Sequence, residues 1–213
     1  MNNNIWTRIF IMGYFILRAS AAVAYAETLD ETIASVENHY RELHDLMAKV
    51  TQNNLLKSVG KTQKFEGTLW INKPGKLRLE YTNGQLILID GKAALLYSRK
   101  SEQVIKKAFT DFEQMNIPVA FLLGAAHIRD DFEVFQADAK NFRLLELRPK
   151  KEGAAMKKLR IQIDEAGRII KLSIFDKSGN VTGIDFSDIR EDTGFDDKLF
   201  TFKAPKGTEI IEQ

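Results

Sequence analysis

The chain has 213 residues, 44% of them hydrophobic and 28% charged, with a formal net charge of +2. That length suits one domain with a substantial core, and the composition excludes disordered and collagen-like chains. The near-neutral balance excludes a global basic field of the kind that grips nucleic acid, so any basic contact must be local.

Residues 1–26 read as a secretory signal peptide: Arg8, an apolar run over 9–17, and the small-x-small triplet Ala24-Tyr25-Ala26, with cleavage expected after Ala26. The run is far shorter than the roughly 20 apolar residues of a bilayer-spanning helix. Removing it takes away Arg8 and Arg18 and no acidic residue, which leaves residues 27–213 as one domain of net charge about zero. There is no cysteine. The exported chain therefore has no disulfide framework and no N-terminal cysteine for a lipid anchor, and is expected to be soluble.

Beyond the leader, Leu29, Ile33, Val36, Tyr40, Leu43 and Met47 recur at spacings of four and three, which predicts an amphipathic helix reaching Met47. Thr28 and Glu31 form the pattern of a capping box at its start. After about residue 50 the period becomes twofold. Leu69 and Ile71 alternate with Thr68, Trp70 and Asn72, and Leu77, Leu79 and Tyr81 alternate with Lys76, Arg78 and Glu80. Asn72-Lys73-Pro74-Gly75, Asn83-Gly84 and Asp90-Gly91 divide this region into hairpins, the Asn-Gly and Asp-Gly pairs suiting tight turns. The segment 116–124 is apolar all round, with Pro118 suited to a first helical turn and Gly124 to an end. Strands return near 132–137, 142–149, 157–164, 168–176 and 180–190, with turns at 164–167 and 177–180. One large antiparallel sheet, split by a short helical insertion, accounts for the whole pattern.

The residues carry little that could do chemistry. His39 and His44 are five apart, not at the four-residue spacing of a zinc helix, and His127 stands alone, so all three read as surface or capping residues. Gly60-Lys61-Thr62 mimics the end of a phosphate loop, but Leu55 occupies the position where the first glycine belongs. Asp130-Asp131, Glu191-Asp192 and Asp196-Asp197 lie in polar stretches and read as solvated turns. No nucleophile elbow is present. No catalytic residue, metal or cofactor is expected. What remains is apolar surface: of 14 phenylalanines only Phe10 and Phe15 lie in the leader. A single sheet this large curves, and its concave face must be filled by helices or by a ligand.

The run 67–81, with Gly67, Leu69-Trp70, Lys73-Pro74 and Leu77-Arg78-Leu79-Glu80-Tyr81, resembles the signature of the outer-membrane lipoprotein carrier (LolA) family. Asp90-Gly91-Lys92, Leu95-Leu96-Tyr97, Glu102-Gln103-Val104, the 118–123 helix, Ile184-Asp185-Phe186 and the closing stretch 200–207 follow in the family's order. The resemblance implies a mainly β fold: an incompletely closed antiparallel barrel of about eleven strands, with an N-terminal helix and a short helical lid over an apolar cavity. It implies a monomeric periplasmic chaperone, not an enzyme. Its partners would be acylated lipoproteins, an inner-membrane lipoprotein-release ABC transporter and an outer-membrane lipoprotein receptor, with no nucleic acid. On this reading Leu69, Ile71, Leu77, Leu79, Tyr81, Leu86, Leu88, Leu95 and Tyr97 line the cavity, and Pro118, Val119, Phe121 and Leu122 belong to the lid. The family often has arginine before the proline, latching the lid by hydrogen bonds to its backbone. Here the position is Lys73, on the side of Leu69 and Ile71 by parity; it is either a looser latch or simply a lysine ending a strand. Two alternatives stay open: a same-fold binding protein for free lipid or glycolipid, and a module that senses lipoproteins without moving them.

Overall fold

Thr28 caps the first helix as its sequence predicts. Its hydroxyl accepts from Glu31 N at 3.2 Å, and the Glu31 carboxylate accepts from Thr28 N at 2.8 Å. The computed structural model describes residues 28–108, 121–138, 141–154 and 156–212, so the expected leader and Pro118 and Val119 lie outside the described residues. Helix α1 spans Leu29–Glu42 and turns Ile33, Val36 and Tyr40 inward. It stops short of Met47. Leu43 is its C-cap, and strand β1 (Asp45–Leu56) already contains Met47. The i+4 step from Leu43 to Met47 imitates a further turn, but Leu46, Ala48, Val50 and Gln52 are the buried positions, with a period of two.

A 3-10 turn (Lys57–Val59) leads to β2 (Lys61–Asn72), then β3 (Lys76–Tyr81), β4 (Gln85–Asp90), β5 (Ala93–Ser98) and β6 (Gln103–Ala108). Helix α2 (Phe121–Gly124), a 3-10 turn (Ala125–His127) and α3 (Ile128–Asp131) form the insertion. Strands β7 (Phe132–Asp138), β8 (Asn141–Pro149), β9 (Met156–Ile163), β10 (Ile169–Asp176) and β11 (Val181–Glu191) follow. A 3-10 turn (Asp197–Phe200) and β12 (Glu209–Glu212) end the chain. Among the described residues, all twelve strands join one sheet in the order β12-β6-β5-β4-β3-β2-β1-β11-β10-β9-β8-β7. Its two end strands do not pair with each other, so the barrel is incompletely closed. The strand beyond the expected eleven is β12, the one parallel addition, on the edge of β6.

Side chains from β2 to β5 and from β7 to β11 meet α1 in a single core cluster, which requires the sheet to wrap around the helix. Gly67 marks a tight place in that wrap: a Cβ there would stand 2.4 Å from the Glu80 carbonyl oxygen of the neighbouring strand.

The outer face of β8 and β9 carries an ionic cluster. Glu146, itself buried, accepts from Lys158 (2.7 Å), Arg148 (2.9 Å) and Arg160 (3.0 Å). Its carboxyl is held at about 2, below the ordinary 4.5, chiefly by the Lys158 hydrogen bond; burial pushes the other way, and the two arginines add to the lowering. A folded-state value below the unfolded one adds stability that is complete above the unfolded value and disappears as pH falls through the folded one. Glu146→Gln should therefore cost about 2 kcal/mol at neutral pH, allowing for the solvent-exposed arginine heads. In urea unfolding curves that difference from wild type should shrink from pH 4.5 downward and vanish near pH 2.

Candidate ligand-binding face

Five of the residues predicted to line a cavity lie together on the inner face. Leu69 and Ile71 on β2 stand opposite Leu79 and Leu77 on β3, with Tyr81 opposite Gly67, and all five side chains are buried. The other four do not join them. Leu79 pairs with Ile87 and Leu77 with Ile89, so the inward residues of β4 are Ile87 and Ile89, and those of β5 are Ala94 and Leu96. Leu86, Leu88, Leu95 and Tyr97 point to the outer face. The cause is the β3–β4 loop. A two-residue Asn-Gly hairpin would set Leu79 opposite Leu88, but the connection is three residues, Thr82-Asn83-Gly84, with Gly84 at φ +88°. The extra residue slips the register by one and reverses every side chain beyond it.

These four residues have a structural partner. The stretch after β11 crosses the outer face, and Phe195, Leu199, Phe200 and Phe202 pack with Trp70, Leu86, Leu88, Leu95 and Tyr97. The Tyr97 and Phe202 ring centroids are 5.0 Å apart. Arg78 donates to the carbonyls of Leu199 (2.9 Å) and Thr201 (3.3 Å) and pairs with Glu80. Trp70 thus reports on this C-terminal strap, not on the inner face.

The inner face also includes the second half of the sheet, which sequence reading did not single out: Leu145, Leu147, Leu159, Ile161, Leu172, Ile184 and Phe186 are buried in the same cluster. Their alternation along β8–β11 was the available signal. One polar chain interrupts the apolar lining: Tyr81 Oη donates to Gln52 Oε1 at 2.5 Å, and Gln52 Nε2 donates to Asn54 Oδ1 at 2.9 Å. Burial raises the Tyr81 hydroxyl well above the ordinary tyrosine value, so it remains a donor.

Helix α1 and the insertion cover this face. Ile33, Val36 and Tyr40 enter from α1, and Leu122, Ala125 and Ile128 from the insertion. Phe121 is half-buried and packs edge-on against Phe132 at 5.8 Å. The two parts of the cover are clasped. Glu37 accepts from Arg129 N (2.8 Å) and Nη1 (3.0 Å), and Arg129 Nη2 donates to the Asp30 carbonyl at 2.8 Å. The other end of α1 is tied to the sheet. The Ile169 N–H donates to Tyr40 Oη at 3.2 Å, and His39 Nε2 lies 2.9 Å from Glu191 Oε1. Lys73, beside a cis Lys73–Pro74 bond, donates through Nζ to the Tyr40 carbonyl in the last turn of α1. A cation there meets the negative end of the helix. Burial lowers the Lys73 pKa. A cleft of about 450 Å³ over Gly67 is lined by Lys49, Glu66, Thr68 and Glu80 together with Val50 and Tyr81, and so mixes polar and apolar surface.

Among the described residues no group of three or more His, Cys, Asp or Glu side chains could hold a metal, and no helix is long and apolar enough to cross a membrane. What the arrangement offers is burial of apolar groups.

An open, mostly β sheet wrapped around a helix, with its apolar face covered by short helical elements, defines the class. The chain belongs to the LolA family: the family model for the outer membrane lipoprotein carrier protein LolA matches residues 41–203. It is 30% identical over 162 residues to the outer-membrane lipoprotein carrier protein of Chromobacterium violaceum, covering 75% of this chain and 78% of that one. It is 26% identical to the protein of the same name from Nitrosomonas europaea, covering 92% and 97%. Among solved structures, an uncharacterized conserved protein from Thermus thermophilus superposes with a TM-score of 0.53 at 12% identity, covering 86% of this chain and 98% of that one. That likeness is one of fold.

Proposed function

We propose that this protein is a periplasmic carrier that takes lipoproteins from an inner-membrane release complex, shelters their acyl chains on the inner face, and passes them to an outer-membrane receptor. The observation that carries the reading is the cover. An apolar face built from both halves of the sheet is closed by one helix and a short insertion, joined to each other and to the sheet by a few polar contacts. Each acyl methylene moved from water into such an environment is worth about 0.8 kcal/mol. In the closed state Leu122, Ala125 and Ile128 occupy the space that acyl chains would take. Binding must displace them, which keeps net affinity moderate and release feasible. No bond is made or broken, so the protein acts as a chaperone and not as an enzyme.

The test is release of lipoproteins from spheroplasts. Purified protein should bring acylated polypeptides into the supernatant as complexes. Recovery of free lipid or glycolipid alone would overturn the carrier reading in favour of a lipid-binding protein. Lys73 is proposed as the latch. Lys73→Ala should then shift the lid toward open and tighten retention of an apolar fluorescent probe about five- to tenfold, the worth of one charge-assisted hydrogen bond. Unchanged retention would leave Lys73 as a strand-end residue.

A further inference from the structure

At the end of the sheet where β1 turns into β2, exposed apolar side chains and lysines share one platform. The 57–59 turn rests on the β10–β11 turn. Lys57 N donates to Asn180 Oδ1 at 3.1 Å, and the Lys57 side chain passes over Gly179, its Cδ 2.6 Å from where a Cβ would stand. Val59 at the tip is 59% exposed and Leu55 beside it 37%. On the outer face one row runs Leu55, Val181, Phe175 and Lys158 across β1, β11, β10 and β9. Lys57, Lys61 and Lys177 are exposed, and none has an acidic partner among the described residues. Asp176, at the root of the β10–β11 turn, is engaged by Asn180 at 2.8 Å. Lys158 and Arg160 share Glu146 with Arg148, so their cluster keeps excess positive charge.

We propose that this end of the protein docks on an anionic phospholipid surface, with Val59 entering the headgroup layer and Lys57, Lys61 and Lys177 contacting lipid phosphates. The composition favours a bilayer over a protein partner. Protein interfaces are depleted in lysine and enriched in arginine and aromatic anchors. Lysines ringing an exposed aliphatic tip match peripheral membrane contacts, where flexible stems let the ammonium groups stay in the phosphate layer. With a net charge near zero, attraction must come from this local asymmetry and is weak enough to reverse. The inference goes beyond the carrier reading and concerns neither the inner face nor the lid.

Vesicle flotation tests it, using purified protein beginning at Glu27 and no acylated cargo, so failure here leaves the carrier reading untouched. The protein should float with phosphatidylcholine vesicles containing phosphatidylglycerol and not with pure phosphatidylcholine, and high salt should weaken the association. Neutralising one lysine should weaken partitioning about fivefold, and the Lys57→Glu/Lys177→Glu pair more than twentyfold. Val59→Asp should weaken the part that survives salt. These side chains are exposed, so circular dichroism spectra should not change. Three results would overturn the proposal: no flotation of wild type with anionic vesicles, flotation unaffected by all of these substitutions, or binding to polyglutamate without vesicle flotation. The last would point to an acidic protein partner.

Discussion

Leu159→Asp should unfold the protein, whereas Leu122→Asp should leave it folded with the inner face uncovered. Both leucines are buried in the same cluster and would receive the same charge. Leu159 lies within β9, opposite Leu147 on β8 and Ile174 on β10, and cannot reach water without dissolving the sheet. An unpaired buried carboxylate costs about 5 kcal/mol or more, comparable with the whole stability of a domain. Leu122 sits in a four-residue helix held to α1 and the sheet through side-chain packing and the Glu37–Arg129 clasp. Its carboxylate can swing outward, and the cost is limited to the lost contacts of the cover, about 2–4 kcal/mol. Circular dichroism should show the β signal lost in the first variant and kept in the second. Binding of an apolar dye should rise several-fold in the second. If Leu122→Asp also loses its β signal, the insertion is integral core and not a lid.

Asp45→Ala should detach the C-terminal strap. The buried Asp45 carboxylate accepts from Thr193 N (2.8 Å), Thr193 Oγ1 (3.0 Å) and Gly194 N (2.8 Å), which fixes where the chain leaves β11 and turns onto the outer face. Its carbonyl takes the Asp192 N–H at 3.0 Å. Losing three charge-assisted bonds at one point should cost about 2–4 kcal/mol. The strap ahead of β12 is held otherwise by Phe200 and its neighbours and by the Arg78 and Lys76 contacts. Trp70 emission should shift to the red as the outer cluster hydrates, and proteolysis should appear after residue 192. Unchanged emission and stability would mean that the aromatic contacts alone seat the strap.

Where one face of an element carries polar markers, its sequence determined its structure. Thr28 and Glu31 set the start of α1, and the polar partners Thr68, Arg78 and Glu80 told which side of β2 and β3 faces inward. The turns at 72–75, 90–91, 164–167 and 177–180 fall where the sequence places them, and the ordered motifs from Gly67 onward identified the family that the match over 41–203 establishes. Strand β4 has no such marker. Leu86, Ile87, Leu88 and Ile89 are apolar on both faces, so its orientation was decided by a one-residue difference in loop length and by a strap arriving from more than a hundred residues away. The Glu37–Arg129 clasp and the Asp45–Thr193 anchor join residues 92 and 148 apart in the chain. Periodicity reports which side of an element is apolar. Which apolar sides meet depends on register and chain closure, and these exist only once the sheet has wrapped around α1.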